Sequence, residues 1–188
     1  IQTSDILPTS VVQNDSNVGA MQLRLYTNQN TVVWEGLKLD LSVIDGLGQE
    51  KVTCVDGDIS RVKVWKVIKD TATELPLYET NEIIFLPSEG KYLGLITEGT
   101  ERFVDRTVTI SLKRSQVIGV EPTDYRVTYD IAENAQVGRT VGLTINSTAY
   151  FIIAVPDYKG FDEGFAPPRA TKASPIMEVV SQSIMRVY

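Results

Sequence analysis

The sequence predicts an all-β fold, an antiparallel Ig-like β-sandwich, on three observations. Apolar and polar residues alternate along several short segments, which is the period of a strand with one buried face. Clusters of Gly, Asp and Pro separate these segments at short intervals, as expected for antiparallel strands joined by tight turns. No stretch before residue 170 sustains the apolar repeat of a helix, so the body of the chain is predicted to be strands and turns.

The alternating segments define both the strands and their buried faces. Along the fifth predicted strand, Val127 and Tyr129 are expected to face the core, while Thr128 and Asp130 face water. The predicted strands are 20–26, 36–44, 61–68, 106–113, 124–131, 140–146 and 149–155. The residues expected in the core are Leu39, Leu41, Val108, Ile110, Val127, Tyr129, Leu143 and Ile153.

Two segments of the body depart from simple alternation. The run from Asp130 to Gln136 could form one helical turn at a corner of the sandwich. The run 149–155 is almost wholly apolar, and an exposed edge strand of this composition would invite aggregation. We therefore expect it in the interior of a sheet or under a loop.

The C-terminal region changes in composition. Pro156 to Pro175 is rich in Pro, Gly and charge and is predicted to be an extended connection across the surface. The tail after it has a helix-start signal, but its β-branched residues favour a strand. We divide the chain into a sandwich module, 1–165, and an extended connection with a terminal strand, 166–188, that could lead to a neighbouring module.

The composition excludes several kinds of chemistry. With 18 basic against 24 acidic residues the net charge is −6, which disfavours nucleic acid and anionic membranes as partners. The chain contains no histidine, the commonest general base and an important metal ligand. Its single cysteine, Cys54, lies in the sequence VTCV and is expected to be a small buried hydrophobic residue, not a nucleophile.

The longest apolar run and the start of the chain bear on where the protein is located. The longest apolar run, Ala149 to Val155, is too short to span a bilayer, so direct membrane insertion is not expected. The chain starts at Ile1 without a methionine and without a signal-peptide pattern, so we expect a mature or excised fragment.

Three acidic groups are candidates for calcium ligands. The candidates are Asp56 with Asp58, Asp162 with Glu163, and Asp130 with Glu133. Each group offers too few closely spaced oxygens for the ligand shell of Ca²⁺, and turn chemistry explains Asp56 and Asp58 more simply. We therefore predict no metal site and no cofactor.

Other residues have a functional and a structural interpretation. Asn14 and Asn146 begin glycosylation patterns, which are common chance matches. Trp34 and Trp65 could stack on sugars, although an aromatic residue in a strand more often packs in the core. Tyr125 follows a proline at the start of a strand and is expected to form a tyrosine corner, with its hydroxyl bonded to an upstream backbone group.

The order of the segments resembles that of a known class of modules. The residues that carry the resemblance are ILPTSVVQNDSNVGAMQLRLYTNQNTVVWEGLKLDLS, GDISRVKVWK, YRVTYDIAENAQVGRTVGLTIN and AYFIIAVP, within residues 5–156. They resemble the Ig-like or cohesin-like β-sandwich repeats of large bacterial cell-surface proteins. Where many such repeats carry an acidic calcium loop, this chain has VIKDTATELPLYE, so that site is not transferred.

The resemblance implies an extracellular, surface-displayed structural module that is not an enzyme. Its expected partners are neighbouring modules or copies of the same protein, and cell-surface glycan is a further candidate. The ends of the sandwich, at Asp45 to Gly48 and Gln136 to Gly138, are expected to make the contacts together with residues 156–175. The alternatives are a recognition module for a protein or glycan and, least favoured, a hydrolase that uses two carboxylates.

Overall fold

The computed structural model describes residues 10–68, 82–87, 89–154, 172–174 and 176–180. These residues form thirteen β-strands and two short 3-10 turns, and no α-helix occurs among them. The strands are β1 (Ser10–Val12), β2 (Val18–Leu25), β3 (Val32–Asp40), β4 (Ile59–Ile68), β5 (Ile83–Leu86), β6 (Lys91–Leu95), β7 (Thr107–Ile118), β8 (Thr123–Ile131), β9 (Thr140–Val141), β10 (Thr144–Ile145), β11 (Phe151–Ile153), β12 (Lys172–Ala173) and β13 (Met177–Val180). The 3-10 turns are Asp56–Asp58 and Thr148–Tyr150.

The strands form an all-β sandwich, as predicted. One layer is the antiparallel sheet β2-β8-β4-β6-β5. In the other layer β3 pairs with β7 along one edge and with β10 and β11 along the other, and β12 pairs with β10. A small sheet, β1-β13-β9, adjoins this second layer, and within it β1 and β13 run parallel.

One apolar core lies between the layers. It contains Leu37, Leu39, Val108 and Ile110 from the second layer, packed against residues such as Tyr125, Val127 and Tyr129 from the first. Seven of the eight residues predicted for the core are buried. The exception is Ile153, which is half-buried.

Ile153 belongs to the apolar run 149–155, which lies in a different place from the one predicted. The apolar run 149–155 was expected inside a sheet or under a loop, but β11 is an outer strand that pairs only with β3 among the described residues. All three of its side chains are half-buried. The interior placement is therefore wrong, and cover by a loop stays a prediction.

Each of the seven predicted strands has an observed counterpart, but the ends differ. The predicted strand 36–44 ends at Asp40. The predicted strand 140–146 is two short strands, separated at Gly142, where a Cβ atom would lie 2.7 Å from Val43 Cγ2. The possible helical turn at 130–136 is absent, because β8 continues to Ile131 and a non-helical turn follows.

Five strands were not among the seven predicted: β1, β5, β6, β12 and β13. The tail was expected to favour a strand over a helix, and β13 confirms this for Met177–Val180. The predicted connection 156–175 lies largely outside the described residues, as does the predicted module boundary at residue 165.

Two local features position β7. A Cβ atom at Gly36 would lie 2.5 Å from the Ile110 carbonyl oxygen, so glycine permits the close pairing of β3 with β7. Farther along β7 the register shifts, and Lys113 donates its N–H to the Ile96 carbonyl at 2.9 Å. This bond ties β7 to the end of β6 in the other layer.

No helix in the described part of the chain is long and apolar enough to cross a membrane.

Candidate functional site

The candidate site is a buried polar cluster on the outer face of the β2-β8-β4 sheet. Alternation along β4 and β8 places Val62, Val64, Val127 and Tyr129 in the core, so the residues between them face the opposite side. Lys63 on β4 and Asp130 on β8 nevertheless have only 6% and 8% of their surface exposed. The prediction that Thr128 and Asp130 face water is therefore wrong, since both are buried.

The cluster has three members, Lys63, Asp130 and Asn17, and is called the Lys63 cluster below. The Lys63 Nζ lies 3.0 Å from the Asp130 Oδ2 and donates to the Asn17 Oδ1 at 2.8 Å. The Asn17 backbone N–H donates to the Asp130 Oδ1 at 2.8 Å. Ammonium, carboxylate and carboxamide therefore meet at one point.

The strand order explains why these residues meet. Strand β8 lies between β2 and β4, so Asp130 stands between Asn17, which directly precedes β2, and Lys63 on β4. Asn17 has a φ of 56°, a left-handed conformation that asparagine tolerates better than most residues. This conformation occurs where the chain turns into β2, next to the Asp130 carboxylate.

The cluster is closed off by its neighbours. The Trp65 ring centre lies 5.9 Å from the Lys63 Nζ, and the Trp65 indole donates to the Thr128 hydroxyl at 2.7 Å. Gly99 lies over the Lys63 stem, where an added Cβ would stand 3.6 Å from Cγ and 3.7 Å from Cε. An aromatic ring and a backbone segment thus shield the ammonium from bulk water.

The second polar region lies at one end of the sandwich and braces its turns. The Asp58 carboxylate accepts backbone N–H bonds from Val55 and Gln136, both at 2.9 Å, and lies 2.8 Å from the Arg139 guanidinium. Burial alone would raise the pKa of Asp58, but these bonds and the Arg139 charge hold it below its ordinary value of 3.8. As a carboxylate, Asp58 therefore joins the turn at residues 55–58 to the turn at residues 136–139.

Neighbouring residues extend this bracing. Asp56 accepts the Arg106 backbone N–H at 2.9 Å, and the Arg106 guanidinium donates to the Cys54 carbonyl at 2.9 Å. Arg106 also donates to the Leu41 carbonyl. The interpretation of Asp56 and Asp58 as turn residues is therefore confirmed.

The other acidic candidates are placed elsewhere. Asp130 is taken up by the Lys63 cluster, whereas Glu133 is exposed. Asp162 and Glu163 lie outside the described residues. Across the described ranges, no group of three or more acidic or cysteine side chains is arranged to hold a metal ion.

The remaining singled-out residues are mainly structural. Cys54 is buried, as predicted, and burial raises the pKa of its thiol to about 12, which makes the reactive thiolate scarce. Trp34 and Trp65 are also buried, so the core-packing interpretation holds over the sugar platform. Tyr125 is buried with its ring edge-on to Trp34 at 4.9 Å, and the corner hydrogen bond stays a prediction.

Both asparagines of the glycosylation patterns are exposed. Asn14 has a φ of 66°, and the Asn146 side chain donates to Asp40. Exposure makes both accessible but does not distinguish a modified site from a chance match.

No protein-family model, curated protein or solved structure shows significant similarity to this chain.

Sequence reasoning missed the Lys63 cluster. The available signal was Lys63 itself, a lysine enclosed in the run Val62-Lys-Val-Trp65 of a strand that is buried on both faces. A lysine in such a run must find a partner for its charge, because an isolated buried charge is costly. Nothing in the sequence shows that the partners come from 46 residues upstream and 67 residues downstream.

Proposed function

We propose that this chain is a non-catalytic structural module of a secreted or surface-displayed bacterial protein, connected end to end with neighbouring modules. The observation that carries the proposal is the parallel pairing of β1 with β13, in the register Ser10↔Glu178 to Val12↔Val180. Because the two strands point the same way, the chain enters this sheet at one end and leaves it toward the other. This geometry suits a module in a linear array.

The two ends of the sandwich also suit contacts between modules. The Asp58 end consists of residues 41–58, 104–106 and 132–139, and the Tyr26 end consists of residues 26–31 and 119–122. The Asp58 end carries the exposed apolar residues Ile44, Leu47, Val55, Val104 and Val137. The Tyr26 end carries Tyr26 and Val120, with Val117 beside them on β7.

The two turns expected to mark the ends of the sandwich both belong to the Asp58 end, so that placement is wrong, and both turns are internally fixed. Asp45 accepts N–H bonds from Leu47 and Gln49 at 2.8 and 2.9 Å, and Lys51 lies 3.0 Å from its carboxylate. Leu47, at the tip of this turn, is 84% exposed. A rigid turn that presents an apolar side chain is suited to pack against an adjoining module.

The proposal is tested by joining one, two and three copies of the chain in tandem. We expect assembly, measured by light scattering against concentration, to increase with copy number, because linked weak contacts raise the effective local concentration. Leu47→Asp should reduce that assembly, while the exposed control Ile83→Asp on β5 should leave it unchanged. Equal scattering from all three copy numbers, or turnover of a glycan or peptide by one copy, would overturn the proposal.

A further inference from the structure

The Lys63 cluster contains the groups needed to form a covalent bond within the chain. The Lys63 amine lies within hydrogen-bond distance of both the Asn17 carboxamide and the Asp130 carboxylate, and Lys63 and Asp130 are buried while Asn17 is half-buried. We infer that Lys63 and Asn17 are a modification site, at which an isopeptide bond forms between Lys63 Nζ and Asn17 Cγ with Asp130 as the proton-transfer group.

The distances bring the reacting atoms close together. The Lys63 Nζ lies 2.8 Å from the Asn17 Oδ1. Since a C=O bond is about 1.2 Å long, Nζ lies at most about 4 Å from Cγ. A small rotation of the carboxamide suffices for attack, because reacting atoms in a near-attack arrangement are about 3–3.5 Å apart.

Asp130 is placed to move the proton that the reaction requires. Its Oδ2, 3.0 Å from Nζ, accepts a proton from the Lys63 ammonium and leaves a neutral amine. The amine attacks Cγ, the Cγ–Nδ2 bond breaks, and ammonia leaves and takes the proton back as ammonium. One ammonium and one carboxamide thus become one secondary amide and one ammonium ion, with no oxidant or reductant.

The surroundings hold the three groups together in the folded state. The backbone of Asn17 is fixed beside the carboxylate, because its N–H is bonded to Asp130, and its carboxamide accepts from Lys63 Nζ. The Lys63 stem is confined beneath Gly99 and beside Trp65. Fixing the reactants in this way replaces an encounter in solution by a reaction within one molecule, which accounts for bond formation without an external enzyme.

The direct test is the intact mass of the purified folded chain. The bond predicts a mass lower than that of the sequence by one ammonia molecule, and a branched tryptic peptide that joins Asn17 to Lys63. Lys63→Arg, Asp130→Asn and Asn17→Gly should each have the full mass of their own sequences. Asn14→Gly is the matched control, because Asn14 also has a positive φ but lies outside the cluster; it should still lose one ammonia.

The wild-type result does not depend on whether any variant folds. A full sequence mass for the folded wild-type chain would overturn the inference and leave the cluster as a buried ion pair. Loss of ammonia that persists in Lys63→Arg would also overturn it, since the lost group would then come from another site. Neither result depends on end-to-end assembly, so this inference and the proposed function can fail separately.

Discussion

The two faces of β4 and β8 are both largely buried, but only the outer face holds a charged cluster, which lies beside the apolar residues Trp65 and Val67. The inner face presents Val64, Val127 and Tyr129 to the core between the layers. On the outer face, Lys63 and Asp130 are almost as well shielded. Strand alternation therefore identifies which residues share a face but does not tell which face meets water.

The comparison also separates two energetic roles. Burying the inner face removes apolar surface from water, which stabilises the fold by about 25 cal/mol per Å². Burying an ion pair gives little net stabilisation, because desolvation offsets much of the attraction between the charges. The Lys63 cluster is thus poorly explained as a source of stability alone, whereas a chemical role accounts for keeping these groups together.

Of the changes on the outer face, removing the Asp130 carboxylate should lower stability most. Asp130→Ala leaves Lys63 buried without its counter-charge and also prevents the cross-link. We expect the free energy of unfolding to fall by about 3–5 kcal/mol in denaturant titration. Replacing both charged residues, with Lys63→Met and Asp130→Leu together, should restore part of the lost stability. A denaturation midpoint equal to that of wild type for Asp130→Ala alone would contradict this account.

Removing only the Asn17 carboxamide separates the contribution of the cross-link from that of the ion pair. Asn17→Gly keeps the positive φ accessible but deletes the group that is cross-linked. A bond that closes the loop from residue 17 to residue 63 should stabilise the fold by about 4 kcal/mol, by analogy with the loop-closure effect of a disulfide. In urea titrations Asn17→Gly should lose about this amount relative to Asn14→Gly, and equal midpoints would contradict the prediction.

The core between the layers, which the inner face helps to form, has a conventional test. Leu41 is fully buried, so Leu41→Ala should lower the free energy of unfolding by about 2–5 kcal/mol. Leu47 is the matched control because it is exposed, and Leu47→Ala should change stability by no more than about 0.5 kcal/mol. Thermal or denaturant unfolding measures both, and equal losses would mean that the core is wrongly placed.

A smaller and pH-dependent effect is expected from Asp58. Its folded pKa lies below the ordinary value of 3.8, so its stabilising contribution is present above that pH and is lost as the pH falls through the folded pKa. At neutral pH, Asp58→Asn should cost about 1.5–3 kcal/mol, in the range of hydrogen bonds to charged groups. Unfolding midpoints measured from pH 7 down to pH 2 should show the gap to wild type closing below pH 3.8, and a constant gap would contradict the assignment.

The sequence was informative where one local rule decided the outcome. Alternation located the centres of β3, β4 and β8, and seven of the eight expected core residues are buried. It was less informative for short strands such as β12, because its pairing with β10 depends on a neighbour distant in sequence. The prediction that Ile153 is buried was wrong, because an apolar run does not indicate whether its strand lies in the interior or at the edge of a sheet.

The candidate site was harder to predict for a related reason. Lys63, Asp130 and Asn17 each have an ordinary local explanation as a strand lysine, a strand aspartate and a turn asparagine. Their chemistry depends on the strand order β2-β8-β4 and on the cover over the outer face. Neither is encoded in a short motif, so only the assembled sheet brings the three groups together.

The central claim is that this chain is a linear module locked by a covalent bond. Pulling a tandem protein from its two ends tests this claim most directly. The parallel strands β1 and β13 would be loaded along their length, and a bond between Asn17 and Lys63 would keep the intervening residues from extending. Each wild-type module should therefore lengthen by about 160 Å less on unfolding than Asn17→Gly, since an extended residue spans about 3.5 Å. Equal extensions for wild type and Asn17→Gly would contradict the claim.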